Sequence, residues 1–271
     1  MSYFVTGTDT GVGKTLISCA LLHGFAAQGK RVAGMKPVAA GCAGDDIHED
    51  VRQLRAASNV PASLGQINPY SFAPAVAPHL AAQFAGVIIN FARIVESFTG
   101  LAGQADEVIV EGAGGFVVPL NDGQDSADLA AQLGLPIIMV VGMRLGCLNH
   151  ALLTVEAIAA RGLTLAGWVA NVLDADMAML DGNIVALQQR INAPLLGVVP
   201  HQQRPDAIEA AACLNLHSLE QAAGHVKFAA TDDEFRHARF PLPYGHGAPC
   251  HYPTGEGANE SPYEFHTKPH D

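Results

Sequence analysis

A glycine-rich stretch near the start of the chain, Gly7–Thr15 (GTDTGVGKT), carries the strongest chemical signal in the sequence. It lies between an apolar segment predicted to be a strand and one predicted to be a helix, which is the context of a nucleotide-binding P-loop. Its glycines let several backbone N–H groups face one anion, and the helix start adds the positive end of a dipole. Lys14 can contact the outer phosphates, and the Thr15 hydroxyl can bind Mg²⁺. We therefore predict that this loop binds a nucleoside triphosphate.

Acidic residues that could bind Mg²⁺ occur at two places. Glu111 ends a buried strand and precedes Gly112–Gly115, so we expect its carboxylate at the carboxyl edge of the sheet, where ligands bind in doubly wound folds. Asp50 belongs to a cluster whose other members are Asp45, Asp46 and Glu49. Mg²⁺ usually takes only one or two carboxylates. The chemistry of the sequence does not decide which member of the cluster binds it.

A second lysine, Lys36, ends the second predicted strand and precedes Pro37 and an uncharged loop at 38–41. A lysine at the carboxyl edge, near a phosphate loop, is well placed to stabilise a developing anion. On residue chemistry alone, Lys36 could equally be a surface lysine at a strand end.

The elements that position these residues alternate between strand and helix, which predicts a parallel sheet covered on both faces. Strands are predicted at 2–6, 31–36, 107–110, 136–141, 165–170 and 195–199. Helices are predicted at 14–28, 51–57, 80–84, 90–101, 126–133, 148–161 and 177–190. The predicted fold class is α/β, a single P-loop NTPase-like domain with a mostly parallel sheet.

Composition narrows the range of functions. The chain has 271 residues, of which 49% are hydrophobic and 15% charged, with 15 Lys and Arg against 26 Asp and Glu and a net charge of −11. This acidic balance argues against a broad nucleic-acid or membrane surface. The five cysteines are scattered and form no CxxC pair, and Met1–Val5 reads as the first strand and not as a signal peptide. We expect reduced thiols and a cytoplasmic protein.

The domain is predicted to cover residues 1–224. The remaining segment, 225–271, holds six of the twelve His and six of the sixteen Pro residues. It shows no helical or strand period, so we predict an irregular, poorly packed C-terminal extension.

Five ordered motifs resemble the dethiobiotin synthetase family over nearly all of residues 2–223. After the phosphate loop they are Met35–Val38 (MKPV), Val110–Gly115 (VEGAGG), Leu145–Ala151 (LGCLNHA) and Gly167–Asn171 (GWVAN). The resemblance implies an ATP- and Mg²⁺-dependent ligase. Such an enzyme joins CO₂ to 7,8-diaminopelargonate (7,8-diaminononanoate), phosphorylates the carbamate, and closes the ureido ring of dethiobiotin with release of ADP and phosphate. No protein nucleophile is needed.

The resemblance also implies residue roles. Lys14 and Lys36 are the catalytic lysines, and Thr15, Asp50 and Glu111 hold Mg²⁺. Asn171 recognises adenine. Further nucleotide-binding residues implied by the resemblance are Gly11, Val12, Gly13, Leu16, Gly112, Ala113, Gly114, Pro200, His201, Gln202 and Asp206.

Substrate contacts in the family come from two chains of a homodimer. The implied contacts here are Lys36 and Ala40, with Cys147, Leu148 and Asn149 at a helix start that reaches across the interface to the substrate carboxylate. The sequence departs from some relatives at three positions: Ala40 stands in place of a hydroxyl residue, Asn183 in place of a tyrosine, and Gly11 in place of a glutamate.

The sequence leaves two other functions as alternatives. An amide-forming ligase of the cobyrinic acid synthetase type carries a glutamine-hydrolysing domain, and the 47 residues after Gly224 are too few for one. A non-catalytic P-loop regulatory ATPase of the partitioning class has a lysine early in its loop, where this chain has Asp9 and Thr10. Both therefore remain secondary hypotheses.

Overall fold

The apolar segments form a parallel sheet in the computed structural model, which describes residues 2–42 and 47–219. The strands are β1 (Tyr3–Gly7), β2 (Val32–Met35), β3 (Val38–Ala40), β4 (Tyr70–Phe72), β5 (Glu107–Glu111), β6 (Ile137–Met143), β7 (Leu165–Val172) and β8 (Leu195–Val199). The helices are α1 (Lys14–Ala27), α2 (Glu49–Ala57), α3 (Leu64–Ile67), α4 (Pro78–Phe84), α5 (Phe91–Ala102), α6 (Ser126–Leu133), α7 (Cys147–Ala160), α8 (Leu180–Gln188) and α9 (Ala207–Ala212).

Six of the described strands form the main sheet in the order β2-β5-β1-β6-β7-β8, with every pairing parallel. Strand β1 lies near the middle, between β5 and β6. The first βα connection, which carries the phosphate loop, therefore leaves the sheet beside two other strand ends. The predicted α/β class and parallel sheet are confirmed.

Alternate residues of each strand pack on opposite faces, because side chains of a strand point alternately up and down. Tyr3 and Val5 of β1 pack with α1, α2 and α9, whereas Phe4 packs with α4, α5 and α6. On the same side as Phe4, the end of the sheet near β7 buries Trp168 against α7 and α8. Both faces are covered, so the strands are mainly apolar, and every residue of β1, β5 and β6 is buried, including Glu107 and Glu111 at the two ends of β5.

Helix starts follow the local chemistry of the sequence. Asp125 caps α6 through a reciprocal capping box with Asp128, and Gly134 ends the helix in the left-handed region at φ 64°. The α2 helix begins after His48, whose Nδ1 accepts a hydrogen bond from the Asp50 N–H. This cap fixes the first turn of α2, which carries Asp50.

Several elements differ from the predictions. Residues 38–40, predicted as loop, form β3, which pairs with β4 in a separate two-stranded parallel sheet. Neither β4, α3 nor α9 is predicted from the sequence. Helix α8 begins at Leu180 and not at 177, because Met179 has a left-handed backbone (φ 55°). Strand β7 continues to Val172, so Asn171 lies inside the strand.

Three further expectations concern the chain as a whole. The four cysteines in the described residues (Cys19, Cys42, Cys147 and Cys213) are free thiols, as predicted. Among residues 2–42 and 47–219, no helix combines the length and hydrophobicity needed to cross a bilayer. The C-terminal extension predicted at 225–271, including Cys250, lies outside the described residues.

Candidate active site

Three adjacent strands bring the predicted site together at one edge of the sheet. Met35, the last residue of β2, pairs with Val110 of β5, and Glu111 pairs in turn with Val5 of β1. Carboxyl ends of neighbouring parallel strands meet at the same edge. Lys36, Glu111 and the phosphate loop are therefore neighbours although they lie far apart in sequence.

The phosphate loop turns into α1 through Gly13, which has φ 90°. A Cβ at Gly13 would also lie 2.2 Å from the Asn171 Nδ2, so only glycine fits here. Lys14, the first residue of the helix, is buried and donates from Nζ to the Asp9 carbonyl at 3.1 Å. The loop thus curls back on its own lysine.

Lys36 forms the centre of a buried ionic cluster. Its Nζ lies 2.6 Å from Glu111 Oε1 and 2.9 Å from Asp50 Oδ2, and it donates to the Gly112 carbonyl at 3.2 Å. Its backbone is also fixed, because the N–H donates to the Ile67 carbonyl at 2.8 Å. Lys36 is therefore buried and lines the cleft, and it is not the surface lysine that residue chemistry alone allowed.

The Thr15 hydroxyl belongs to the same cluster. Thr15 Oγ1 donates to Glu111 Oε1 at 2.9 Å, the oxygen that Lys36 also contacts. The other carboxylate oxygen, Glu111 Oε2, is buried and has no hydrogen-bond partner among the described residues. Burying a carboxylate oxygen without a hydrogen-bond partner costs free energy, so this oxygen is suited to binding a cation.

The structure also separates the members of the acidic cluster. Glu49 turns away to hydrogen-bond Arg52 and Gln53, whereas Asp50 reaches Lys36. The other two members, Asp45 and Asp46, lie outside the described residues. Of the described members of the cluster, Asp50 is therefore the one that contacts Lys36 together with Glu111.

The two carboxylates and the hydroxyl fit a magnesium site. Within the described part of the chain no group of three His, Cys, Asp or Glu side chains could hold a metal ion. Mg²⁺ does not require one, since it keeps several waters and takes one or two carboxylates together with substrate phosphates. The residues that fit are Thr15, Asp50 and Glu111.

Electrostatics differ between the two lysines. Burial, with the charge of Lys36 nearby, lowers the pKa of Lys14 to about 8. Burial also acts to lower the pKa of Lys36, but the charges of Glu111 and Asp50 outweigh it and raise that pKa. For Asp50, burial acts to raise the pKa, and Lys36 together with the Thr15 hydrogen bond lowers it overall. Lys36 and Asp50 are thus held charged, while Lys14 forms no ion pair with an acidic side chain among the described residues.

A cleft of about 810 Å³ opens beside this cluster. It is bounded by the phosphate loop on one side and by β3 and the start of α4 on the other. The predicted residues that line it are Gly11, Gly13, Lys14, Thr15, Lys36, Ala40, Asp50, Glu111, Ala113 and Gly114. Two lysines, two carboxylates and a phosphate loop on one cleft are suited to transferring a phosphoryl group.

Comparison with known proteins finds a matching family model and several similar sequences. A family model described as an AAA domain matches residues 1–208. ATP-dependent dethiobiotin synthetase of Aromatoleum aromaticum is 58% identical over 79% of this chain and 97% of its own length. The enzyme of the same name from Nitrosospira multiformis is 55% identical over 79% of this chain and 94% of its own. Among solved structures, the MinD cell division protein of Aquifex aeolicus covers 83% of this chain and 97% of its own at 14% identity, with a TM-score of 0.49.

The chain belongs to the ATP-dependent dethiobiotin synthetase family. It is therefore an enzyme, an ATP-dependent ligase of biotin biosynthesis. This membership favours the dethiobiotin synthetase hypothesis over the amide-forming ligase and the regulatory ATPase.

Not every predicted dethiobiotin synthetase residue lines the cleft. Val12 is buried in the core, and Leu16 packs against the same core. Gly112 offers its carbonyl to Lys36. The other residues that do not line the cleft are Cys147, Leu148, Asn149, Asn171, Pro200, His201, Gln202 and Asp206.

Asn171 contacts the phosphate loop itself. It is buried in β7, and its Nδ2 donates to the Val12 carbonyl at 2.9 Å. This hydrogen bond therefore connects the phosphate loop to β7. The adenine contact implied by the family resemblance stays a prediction.

Gln202 and Asp206 meet in the turn that follows β8. Gln202 Oε1 accepts from the Asp206 N–H at 2.9 Å, and Asp206 Oδ1 caps α9 by accepting from the Ile208 and Glu209 N–H groups. The preceding residues, Pro200 and His201, are exposed. Asp206 caps helix α9, and its contact with the nucleotide stays a prediction.

The helix start predicted to reach a substrate carboxylate lies elsewhere on the surface. Helix α7 begins after Gly146, which has φ 94°, and Cys147 is buried beneath it. Asn149 is exposed, and the preceding Leu145 is 97% exposed. Asn183, on α8, donates to the Met179 carbonyl at 2.9 Å. Within one chain, therefore, the α7 start does not contribute to the cleft.

Sequence reasoning missed the apolar wall of the cleft and two polar residues. The wall comprises Val38, Ala39, Ala75, Val76, Ala77, Pro78 and Val118. Thr10 and His48 also line the cleft, and His48 Nδ1 lies 3.7 Å from Asp50 Oδ2. Among the wall residues, only Val38 belongs to one of the five motifs (Met35–Val38), so most of the wall had no sequence signal. The phosphate-loop position of Thr10 was a signal for that residue.

Proposed function

We propose that this chain closes the ureido ring of dethiobiotin from 7,8-diaminopelargonate and CO₂. One amine of the diamine forms a carbamate with CO₂, ATP phosphorylates the carbamate, and the second amine attacks the mixed anhydride. Carbon–nitrogen bond formation then expels phosphate, leaving ADP, phosphate and dethiobiotin. Family membership supports the reaction. The observation that supports assigning it to Lys36, Asp50 and Glu111 is that these residues form a cluster beside the phosphate loop.

The two lysines have distinct roles in this proposal. Lys14 binds the phosphoryl oxygens, because it sits at the helix start inside the phosphate loop. Lys36 stabilises the carbamate and the charge of transfer, because it lies on the cleft with its ammonium held charged. Holding carbamate, phosphate and amine in line can supply part of the roughly 7–11 kcal/mol available from positioning.

Thr15, Asp50 and Glu111 are proposed to hold Mg²⁺. Their oxygen atoms are the hard ligands that this ion prefers, and Glu111 Oε2 has no partner among the described residues. Mg²⁺ held by these residues would neutralise part of the phosphate charge. The same proposal assigns Asn171 to the adenine ring, with Pro200, His201, Gln202 and Asp206 nearby.

The hydrocarbon part of the diamine suits the apolar wall. Ala40, Val76 and Val118 line the same cleft as the charged cluster, and their apolar side chains suit the chain of methylenes. The substrate carboxylate is proposed to bind the start of α7, at Cys147, Leu148 and Asn149, supplied by the second chain of a homodimer. Free N–H groups at a helix start favour a carboxylate.

Phosphate release tests the proposed function. We expect the purified protein, given ATP, Mg²⁺ and bicarbonate, to release phosphate only when 7,8-diaminopelargonate is added, with dethiobiotin detected by mass spectrometry. Release that ignores the diamine, or diamine-dependent release without dethiobiotin, would contradict the proposal.

Strand β5 offers a matched pair of variants for this assay. Glu111→Gln alters the cluster at the carboxyl end of the strand, and Glu107→Gln makes the same change at its other end, where Glu107 pairs with Lys30. We expect Glu111→Gln to lose at least about a hundredfold in turnover. Glu107→Gln should keep turnover close to that of the unaltered protein.

A further inference from the structure

An acidic side chain stands inside the phosphate loop. Asp9 lies between Gly7 and Gly13, where a negative charge opposes the binding of a triphosphate. Its Oδ1 accepts from the Thr10 N–H at 2.7 Å, and its backbone carbonyl accepts from Lys14 Nζ at 3.1 Å. The hydrogen bonds of Asp9 therefore hold the loop and Lys14 in place, while its negative charge weakens the binding of an anionic ligand.

Arg144 supplies the opposite charge. Its Nη2 lies 2.5 Å from Asp9 Oδ2. Arg144 directly follows β6, the strand that pairs with β1, and the Thr8 N–H donates to the Val140 carbonyl at 3.0 Å. The residue after the end of β6 is therefore held beside the loop by sheet register.

The exposure of this pair indicates what it does. The side chains of Arg144 and Asp9 are 45% and 43% exposed, and ion pairs this open contribute little to folding. Their effect is on the local electrostatic potential, which an approaching anion experiences directly. A loop that binds phosphate has a higher affinity for it when the one carboxylate of the loop, Asp9, is neutralised.

We propose that Arg144 is a positioning residue for the nucleotide, acting through Asp9. Arg144 neutralises the Asp9 carboxylate and holds it to one side, so that the Asp9 carbonyl keeps Lys14 in place and the loop presents no net negative side chain to the phosphates. The inference rests on the ATP site of the proposed function and adds two residues, Asp9 and Arg144, to it.

Nucleotide affinity in a double-mutant cycle tests this role. Arg144→Gln leaves Asp9 charged and unpaired, so we expect the Kd for Mg²⁺·ATP to rise roughly fivefold to tenfold. Asp9→Asn removes the charge itself and should change the Kd by less than about threefold. The double variant, Asp9→Asn with Arg144→Gln, should regain most of the affinity that Arg144→Gln loses, because two neutral amides replace the ion pair.

The matched control is Arg31→Gln. Arg31 pairs with Asp106 at 2.7 Å with similar exposure (61% and 45%), at the opposite edge of the sheet. We expect no change in ATP affinity for this variant. The loss in Arg144→Gln should also shrink at about 1 M salt, where the screening length falls to about 3 Å.

Three results would overturn the proposal. A double variant as weak as Arg144→Gln would mean that Arg144 contacts the phosphates directly. A lowered melting temperature with unchanged Kd would make the pair structural, and an unchanged Kd with unchanged melting would leave it without a role. Binding is measured by calorimetry without diamine or bicarbonate, so a chain that makes no dethiobiotin can still confirm or refute the inference.

Discussion

At the scale of single residues, the site is organised by competition for two carboxylates. Lys36 lies 2.6 Å from Glu111 and 2.9 Å from Asp50, and these are the acids proposed to bind Mg²⁺. Glu111 is almost completely buried, so its charge needs a compensating cation. An ammonium and a divalent cation that share ligands must affect each other's binding.

Replacing Lys36 by Met tests both its catalytic role and this competition. We expect turnover to fall at least about a hundredfold while the Kd for ATP stays within about threefold, because Lys36 is proposed to stabilise the transferring group. The buried Glu111 and the half-buried Asp50 lose their counter-charge, so stability without Mg²⁺ should drop by about 3 kcal/mol. Mg²⁺ should then raise the melting temperature of Lys36→Met more than that of the unaltered protein, as measured by calorimetry.

Lys14→Met is the control for this variant, since it makes the same chemical change next to a backbone carbonyl instead of a carboxylate. Mg²⁺ should give it no extra stabilisation. Equal Mg²⁺ effects on the unaltered protein and Lys36→Met would mean that Lys36 and the metal do not share ligands. Loss of ATP binding in Lys36→Met would contradict its assigned role.

At the scale of secondary structure, the sequence predicts the parts of the site that lie at strand ends. Strand β5 and the turn after it place Glu111, and β1 with its glycine-rich turn places the phosphate loop, because apolar runs followed by glycines are local signals. Strands β3 and β4 were not predicted, since each has three residues and pairs across about thirty positions. Long-range pairing of such short segments leaves no period to detect. Because β3 supplies part of the apolar wall of the cleft, the sequence did not predict that wall either.

Two polar features of the site could not be predicted from the sequence either, because they depend on how the helices and strands are arranged. Asp50 could not be chosen from its acidic neighbours by sequence chemistry, because the choice depends on the direction of the first turn of α2. His48 sets that turn by capping it. The pairing of Asp9 with Arg144 likewise depends on β6 lying beside β1, which only the strand order reveals.

Asn171 tests the link between strand β7 and the phosphate loop. Asn171→Ala removes the hydrogen bond to the Val12 carbonyl and the proposed adenine contact together. The first effect is independent of the base and should weaken ATP and inosine triphosphate alike. The second should weaken ATP by a further factor of about ten, because an amide pairs with the edge of adenine through two hydrogen bonds. Calorimetric titrations of both nucleotides separate the two effects.

The control is Asn59→Ala, which removes a similar bond, from Asn59 Nδ2 to the Lys30 carbonyl at 2.9 Å, near the start of β2. It should leave both affinities unchanged. Equal losses for ATP and inosine triphosphate in Asn171→Ala would refute adenine recognition and leave Asn171 as a support of the loop.

At the scale of the whole molecule, one chain presents only part of the proposed substrate site. The cleft contains the phosphate loop and the charged cluster, but not the α7 start. Leu145, next to that start, is 97% exposed, and Leu153 on α7 is 56% exposed. Apolar side chains this open beside a helix start are consistent with a surface that a second copy covers.

A mixed dimer tests this arrangement. Lys36→Met inactivates the cleft, and Asn149→Asp places a negative charge where the substrate carboxylate is proposed to bind, so each variant alone should be inactive. If every site uses the cleft of one chain and the α7 start of the other, a purified dimer of the two variants has one intact site. It should show about half the turnover of the unaltered dimer. A dimer of Lys36→Met with Glu111→Gln damages both clefts and should stay inactive. An inactive Lys36→Met/Asn149→Asp dimer, or a protein whose mass by light scattering is that of one chain, would show that the α7 start does not complete a partner's site.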